Sequence, residues 1–191
     1  MAKILQVEPT PNPLSYKATV DQKVATGNGK HYAKKEDAFD NVLATKIFDI
    51  HGVQSLFFMD NFITVTKTPA GIWDFIFFRL QEILMEARDI VPAKGEGDQT
   101  QTVTSVKSDD FAKMAHDEKI KVINQVIDAT IRPGLARDGG GLEVIELIDN
   151  VVRVKYQGAC GSCPSSTTAT LHYISSMLQN RVSPDLMVQI T

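Results

Sequence analysis

The sequence predicts an α+β protein of two small α/β domains joined by a flexible linker, the C-terminal one in the order α-β-β-loop-α. Three observations carry this. Apolar residues recur at alternate positions in some segments and at three- or four-residue spacing in others, so strands and amphipathic helices are interleaved. Residues 92–110 (PAKGEGDQTQTVTSVKSDD) are polar, with two valines as their sizeable apolar residues. Such a segment cannot bury enough surface to offset its ordering entropy. At 191 residues, the chain is long enough for two small domains. The expected division is a domain over 1–91, a linker over 92–110 and a domain over 111–191.

In the first half, residues 4–7 and 16–20 read as strands. Between them Pro9-Thr10-Pro11-Asn12-Pro13 forbids a helix and favours an extended or turned loop. Residues 35–48 read as a helix, with Phe39, Leu43 and Ile47 at four-residue spacing. Residues 53–58 and 62–66 flank Asp60-Asn61 as a hairpin. Residues 72–87 form the second helix. Its aromatics Trp73, Phe75, Phe77 and Phe78 cannot all face one way, but most are expected to pack on the sheet.

In the second half, Ile120, Ile123, Ile127 and Ile131 make a helical stripe over 119–131 that Pro133 and Gly134 should end. Asp138-Gly139-Gly140-Gly141 reads as a loop. Residues 142–148 and 151–156 form a hairpin around Asp149-Asn150. Gly158-Ala159-Cys160-Gly161-Ser162-Cys163-Pro164 follows, then a helix over 165–181 and a last strand over 186–190.

Composition narrows the function. Hydrophobic residues make up 43% and charged residues 23%, with a net charge of -3. That balance gives no electrostatic reason to expect nucleic acid as a partner. No apolar run is long enough to span a membrane, and the most apolar stretch, 72–85, is interrupted by Asp74, Arg79 and Glu82. The first residues, MAKILQVE, have neither a signal peptide's apolar core nor a transit peptide's Arg/Ser character, so a cytoplasmic location is expected. In that compartment a lone cysteine pair points to metal or redox chemistry rather than to a structural disulfide.

Cys160 and Cys163 are the two cysteines of the chain and stand two residues apart, between a strand and a helix. Gly161 permits a tight turn, so both sulfurs can point at one centre. Pro164 suits a first helical turn, and a helix N-terminus favours thiolate over thiol. Three readings share this chemistry. The pair can ligate an iron–sulfur cluster, which takes four ligands and so needs two chains. It can cycle between dithiol and disulfide, although little chain remains after the following helix. It can bind zinc, although His172 lies nine residues past Cys163 and is poorly placed as a partner. Two cysteines packed as small hydrophobes are the bland alternative, which the glycine-rich flanks disfavour. Spacing alone does not separate cluster from redox pair. Ser165, Ser166 and Thr167 read as helix caps or as donors to a bound sulfide. No Ser/His/Asp set, paired carboxylates or phosphate-cradling glycine loop is visible, so a catalytic turnover site is not expected.

Ile131-Arg132-Pro133, Asp138-Gly139-Gly140, Tyr156-Gln157-Gly158-Ala159 and above all Cys160-Gly161-Ser162-Cys163-Pro164-Ser165-Ser166-Thr167 give residues 118–182 a strong resemblance to the C-terminal domain of NifU, the Nfu-type iron–sulfur scaffold. Residues 1–88 resemble the N-terminal domain of Nfu proteins, through Pro9-Thr10-Pro11-Asn12-Pro13 and Ala70-Gly71-Ile72-Trp73. Arg137 stands where Ala is expected in much of the family. The resemblance implies a carrier, not an enzyme. It would hold a labile cluster, usually [4Fe–4S], between the two chains of a homodimer, take it from upstream assembly machinery and deliver it to apo-proteins. Cys160 and Cys163 inherit the metal-ligand role.

Overall fold

The computed structural model describes residues 2–87, 90–95, 108–162 and 167–191. In chain order the elements are β1 (Ile4–Pro9), β2 (Ser15–Val20), β3 (Ala25–Thr26), β4 (Lys30–Tyr32), α1 (Val42–Phe48), β5 (Val53–Met59), β6 (Phe62–Lys67), α2 (Trp73–Glu86), β7 (Ala93–Lys94), α3 (Ser108–Lys113), α4 (His116–Thr130), α5 (Arg132–Arg137), β8 (Gly140–Ile148), β9 (Val151–Gly158), α6 (Thr167–Arg181) and β10 (Met187–Ile190). The α+β class is the one the sequence predicts.

Strand alternation in the first half builds a five-stranded antiparallel sheet in the order β1-β2-β6-β5-β4. Ala18, Val20, Leu56, Phe58, Ile63 and Val65 line one face, where Leu43 and Ile47 of α1 and Ile76, Leu80 and Leu84 of α2 pack on them. Asp60, with φ of 44°, turns the β5–β6 hairpin. The helix expected over 35–48 is in fact two. A 3-10 segment, Lys35–Asp40, ends at Asn41, whose extended backbone starts α1 and whose side chain accepts from the Ala44 N–H at 2.9 Å. Capping wins over periodicity here, and Phe39, placed on the stripe by its spacing, is 90% exposed.

In the second half the β8–β9 hairpin turns through Asp149 and Asn150, both with positive φ, as a tight primed turn requires. β10 returns parallel to β9, giving the order β10-β9-β8. Ile123, Val126 and Ile127 of α4 and Ile174 and Leu178 of α6 pack on Leu142, Val152 and Val154. α4 ends at Thr130, where Pro133 and Gly134 place its end, and Pro133 then sits in the first turn of a further short helix, α5, where its missing N–H is harmless. One expectation needs correction. Gly140 and Gly141 are not loop residues; they open β8, paired with Gly158 and Gln157.

Regular structure also occurs at both ends of the segment expected to be a linker. Ala93–Lys94 pairs in parallel with Ala25–Thr26, and Ala93 is buried. Ser108–Lys113 forms α3. Residues 96–107 lie outside the described residues.

The helix-free face of the five-stranded sheet packs against the second half. Strand register aligns four residues in a row across four strands: His31 beside Phe57, Phe57 beside Thr64, Thr64 beside Lys17. Each member touches the second half. His31 Nδ1 accepts from the Gly158 N–H at 3.3 Å, Thr64 Oγ1 donates to the Gly139 carbonyl at 2.7 Å, and Lys17 Nζ donates to the Ala136 carbonyl at 3.1 Å. The Phe57 ring lies over Gly141 and Gly158. Phe57, Met59 and Phe62 form a small buried cluster completed by Ala136.

Two predictions follow from this packing. Arg132 is buried, ion-paired with Asp128, and donates from Nε to the Leu142 carbonyl at 3.0 Å and from Nη2 to Asn124 Oδ1 at 3.1 Å. Burial pulls its pKa down to about 10 against the opposing charge of Glu143. Arg132→Met should destabilise the chain by ~3 kcal/mol because it strands the Asp128 carboxylate. Adding Asp128→Asn should cost less than the sum of the single changes, as a double-mutant cycle in urea would show.

The second concerns pH. His31 is held neutral, its pKa pushed down to about 4, chiefly by burial and then by the Lys155 cation, with Asp37 opposing. Lys30, Lys94 and Glu143 line the same cleft. The docked state therefore binds fewer protons than an undocked one, in which His31 titrates near its ordinary value of 6.5. Docking should be fully stable above that value and weaken as pH falls from 6.5 toward about 4. Small-angle scattering should show the radius of gyration increasing over that window, and His31→Asn should remove that dependence.

Candidate cysteine site

β9 ends at Gly158, and a 3-10 turn, Ala159–Ser162, carries Cys160. Two glycines set this corner. Gly158 has φ of 63°, and a Cβ there would sit 2.6 Å from the Gly139 carbonyl oxygen. Gly139 has φ of 72°, and its carbonyl accepts from the Ala159 N–H at 3.2 Å. The start of β8 and the end of β9 are thus drawn together directly beneath the cysteine.

Cys160 is 8% exposed and belongs to the core of the second half. Its Sγ lies against Gly140, where any Cβ would collide with it. Tyr156 is buried beside it, and burial, followed by the Cys160 charge, pushes the Tyr156 hydroxyl up to about 12. The neighbouring backbone is held from the first half as well: the Asn12 amide, from the Pro9–Pro13 stretch, donates to the Ala159 carbonyl at 3.3 Å, and His31 accepts from Gly158.

Cys163, the second sequence-predicted ligand, lies outside the described residues, as do Pro164, Ser165 and Ser166. α6 is described from Thr167 onward. Among the described residues no group of three or more His, Cys, Asp or Glu could hold a metal ion, and no helix is long and apolar enough to cross a membrane. His31 lies at the contact between the halves and not in a ligand set. Of the aromatics on α2, Trp73 and Phe77 stack at 5.2 Å and both meet Tyr16 of β2, whereas Phe75 and Phe78 are exposed.

Sequence reasoning missed Asn12, Lys17, His31, Phe57 and Thr64 as neighbours of the cysteine turn. They come from four strands and a loop more than 70 residues upstream, the smallest separation being the 75 between Thr64 and Gly139. The glycine run over 139–141 read only as a loop and did not point to them.

Comparison with known proteins places both halves. Residues 123–189 match the NifU-like domain, and residues 5–89 match the model for the scaffold protein Nfu/NifU N terminal. The protein named NFU1 iron-sulfur cluster scaffold homolog, mitochondrial, of Drosophila willistoni is 32% identical over 177 residues, covering 92% of this chain and 59% of that protein. Its counterpart in Drosophila grimshawi is also 32% identical, covering 92% and 57%. The chain thus spans under two thirds of the length of these relatives. Among solved structures, the crystal structure of protein SAV1430 from Staphylococcus aureus aligns with 25% identity and a TM-score of 0.38, over 42% of this chain and 96% of that one. With an Nfu-type N-terminal domain over one half and a NifU-like domain over the other, the chain belongs to the Nfu family of proteins.

Proposed function

We propose that the chain is an iron–sulfur cluster scaffold and carrier. Two copies hold a labile [4Fe–4S] cluster between them through Cys160 and Cys163 of each, and the cluster passes to apo-proteins. The observation that carries the reading is the pair itself: a CxxC whose first cysteine sits on a glycine-rich turn at the end of β9 in a NifU-like domain, with no other cysteine in the chain. The names of the relatives, as iron–sulfur cluster scaffolds, support it.

The chemistry follows from ligand count. A cluster takes four thiolates and one chain supplies two, so a second copy completes the site. Iron–thiolate bonds then drive association by linkage. Delivery is ligand exchange. An acceptor thiolate binds iron as a Cys160 or Cys163 thiolate leaves; the step repeats at the remaining ligands, with no net change in oxidation state. The same exchange in reverse loads the carrier from upstream assembly machinery. The runner-up is a dithiol oxidoreductase, in which the pair cycles between dithiol and disulfide.

Anaerobic reconstitution with iron and sulfide tests this. Wild-type chain should take up iron and sulfide and give a cluster spectrum, while Cys160→Ser and Cys163→Ser should lose stable iron binding with the apo-fold retained. Unchanged iron content in either variant refutes the assignment. Native mass spectrometry should find the loaded protein as a dimer and the unloaded one mainly as a monomer; a monomer carrying a full cluster contradicts bridging. Mixing the loaded protein with an apo iron–sulfur enzyme should restore that enzyme's activity. Failure to do so, together with reduction of insulin by the iron-free chain, would replace the carrier by the oxidoreductase.

A further inference from the structure

We propose that the helix-free face of the N-terminal sheet is an internal latch: docked on the base of the cysteine turn, it keeps Cys160 turned into the core, and it must release before that sulfur can bind iron. The inference builds on the carrier reading for its consequence, but the latch itself is a property of the metal-free chain.

The contacts fall on the residues that a movement of Cys160 would disturb. A backbone rotation over 158–160 that carried its sulfur outward would have to break bonds to the other half. The Gly158 N–H is tied to His31, and the Ala159 carbonyl to the Asn12 amide. The facing strand is held as well, because the Gly139 carbonyl accepts from both Thr64 and the Ala159 N–H. Every one of the sheet-side partners belongs to the other half of the molecule. In the docked chain Cys160 is 8% exposed.

The fit is specific to a surface without side chains. A Cβ on Gly141 would stand 2.6, 3.3 and 3.4 Å from three atoms of the Phe57 ring, and those are its three nearest neighbours. Its own domain leaves room for that methyl; only the docked sheet does not. Gly139 is likewise covered from the other half, by Thr10, Thr64 and Lys17. A glycine-floored patch that accepts an aromatic ring, with three backbone groups bonded to side chains of one strand row, is a built docking surface. Its occupant is this chain's own N-terminal domain.

Gly141→Ala places one methyl against Phe57, in a strand residue without positive φ, and so separates the halves while sparing each fold. Thr64→Val with Lys17→Met removes two interdomain hydrogen bonds from the opposite side at nearly constant volume. Each is made in a Cys163→Ser background, so that alkylation by iodoacetamide reports Cys160 alone. Hydrogen exchange in peptides covering β5–β6 and β8–β9 reports docking, and thermal unfolding checks the fold. We expect increased exchange in both sets of peptides and alkylation faster by about tenfold or more in both variants. Increased exchange with unchanged alkylation overturns the latch. So does unchanged exchange in both variants, since the interface would then hold nothing. In the two-cysteine chain the same changes should speed iron and sulfide uptake. If alkylation accelerates but no variant takes up iron, the latch stands and the carrier reading falls.

Discussion

The arrangement depends on the close approach of one β-sheet to a corner of another domain that has almost no side chains. Gly139, Gly141 and Gly158 leave the β8–β9 corner open to direct contact from the Phe57 ring and from Thr64. At such distances backbone carbonyl and amide groups become the natural partners, and they bond to His31, Thr64 and Lys17. The same glycines shape the cysteine turn from within: the positive φ at Gly139 and Gly158 brings the two strand ends together under Ala159. One set of residues therefore sets both the local geometry of Cys160 and the seat of the neighbouring domain. Neither can be altered without the other responding.

Much of this architecture was legible because it is local. Two hairpins announced themselves by Asp60-Asn61 and Asp149-Asn150, since the positive φ that Asp60, Asp149 and Asn150 adopt selects Asp and Asn at a turn. The stripe of Ile123 and Ile127 identified the main helix of the second half by period. Cys160 stood out through its glycine flanks, and it is indeed set in a tight turn at a strand end.

What was illegible is non-local or competitive. Residues 35–48 carry a helical period, yet Asn41 offers its carboxamide to a backbone N–H and starts a new helix there. Gly140 and Gly141 look like loop formers, but strand pairing to Gly158 and Gln157 outweighs their poor propensity. The row from His31 to Lys17 has no signature at all, because its members are neighbours only once four strands are in register. Arg132 gave no hint of burial, since nothing in its flanks shows that Asp128, four residues earlier, shares a helix-end pocket with it.

The short parallel pairing of Ala93–Lys94 with Ala25–Thr26 has a kinetic meaning. It moors the exit of the first domain to its own body, and the Gly95 N–H adds a bond to the Thr26 carbonyl at 3.0 Å, so 12 residues, 96–107, remain between Gly95 and the start of α3. A chain of that length spans at most about 40 Å even when fully drawn out. Separated domains of one molecule therefore stay within a leash of that radius, where each sees the other at an effective concentration of about a millimolar or more. Recapture within the molecule is then a first-order event that dilution does not slow. Encounter with a second molecule is second-order and does slow on dilution. Abundance in the cell, and not affinity alone, decides which of the two encounters an opened molecule makes first.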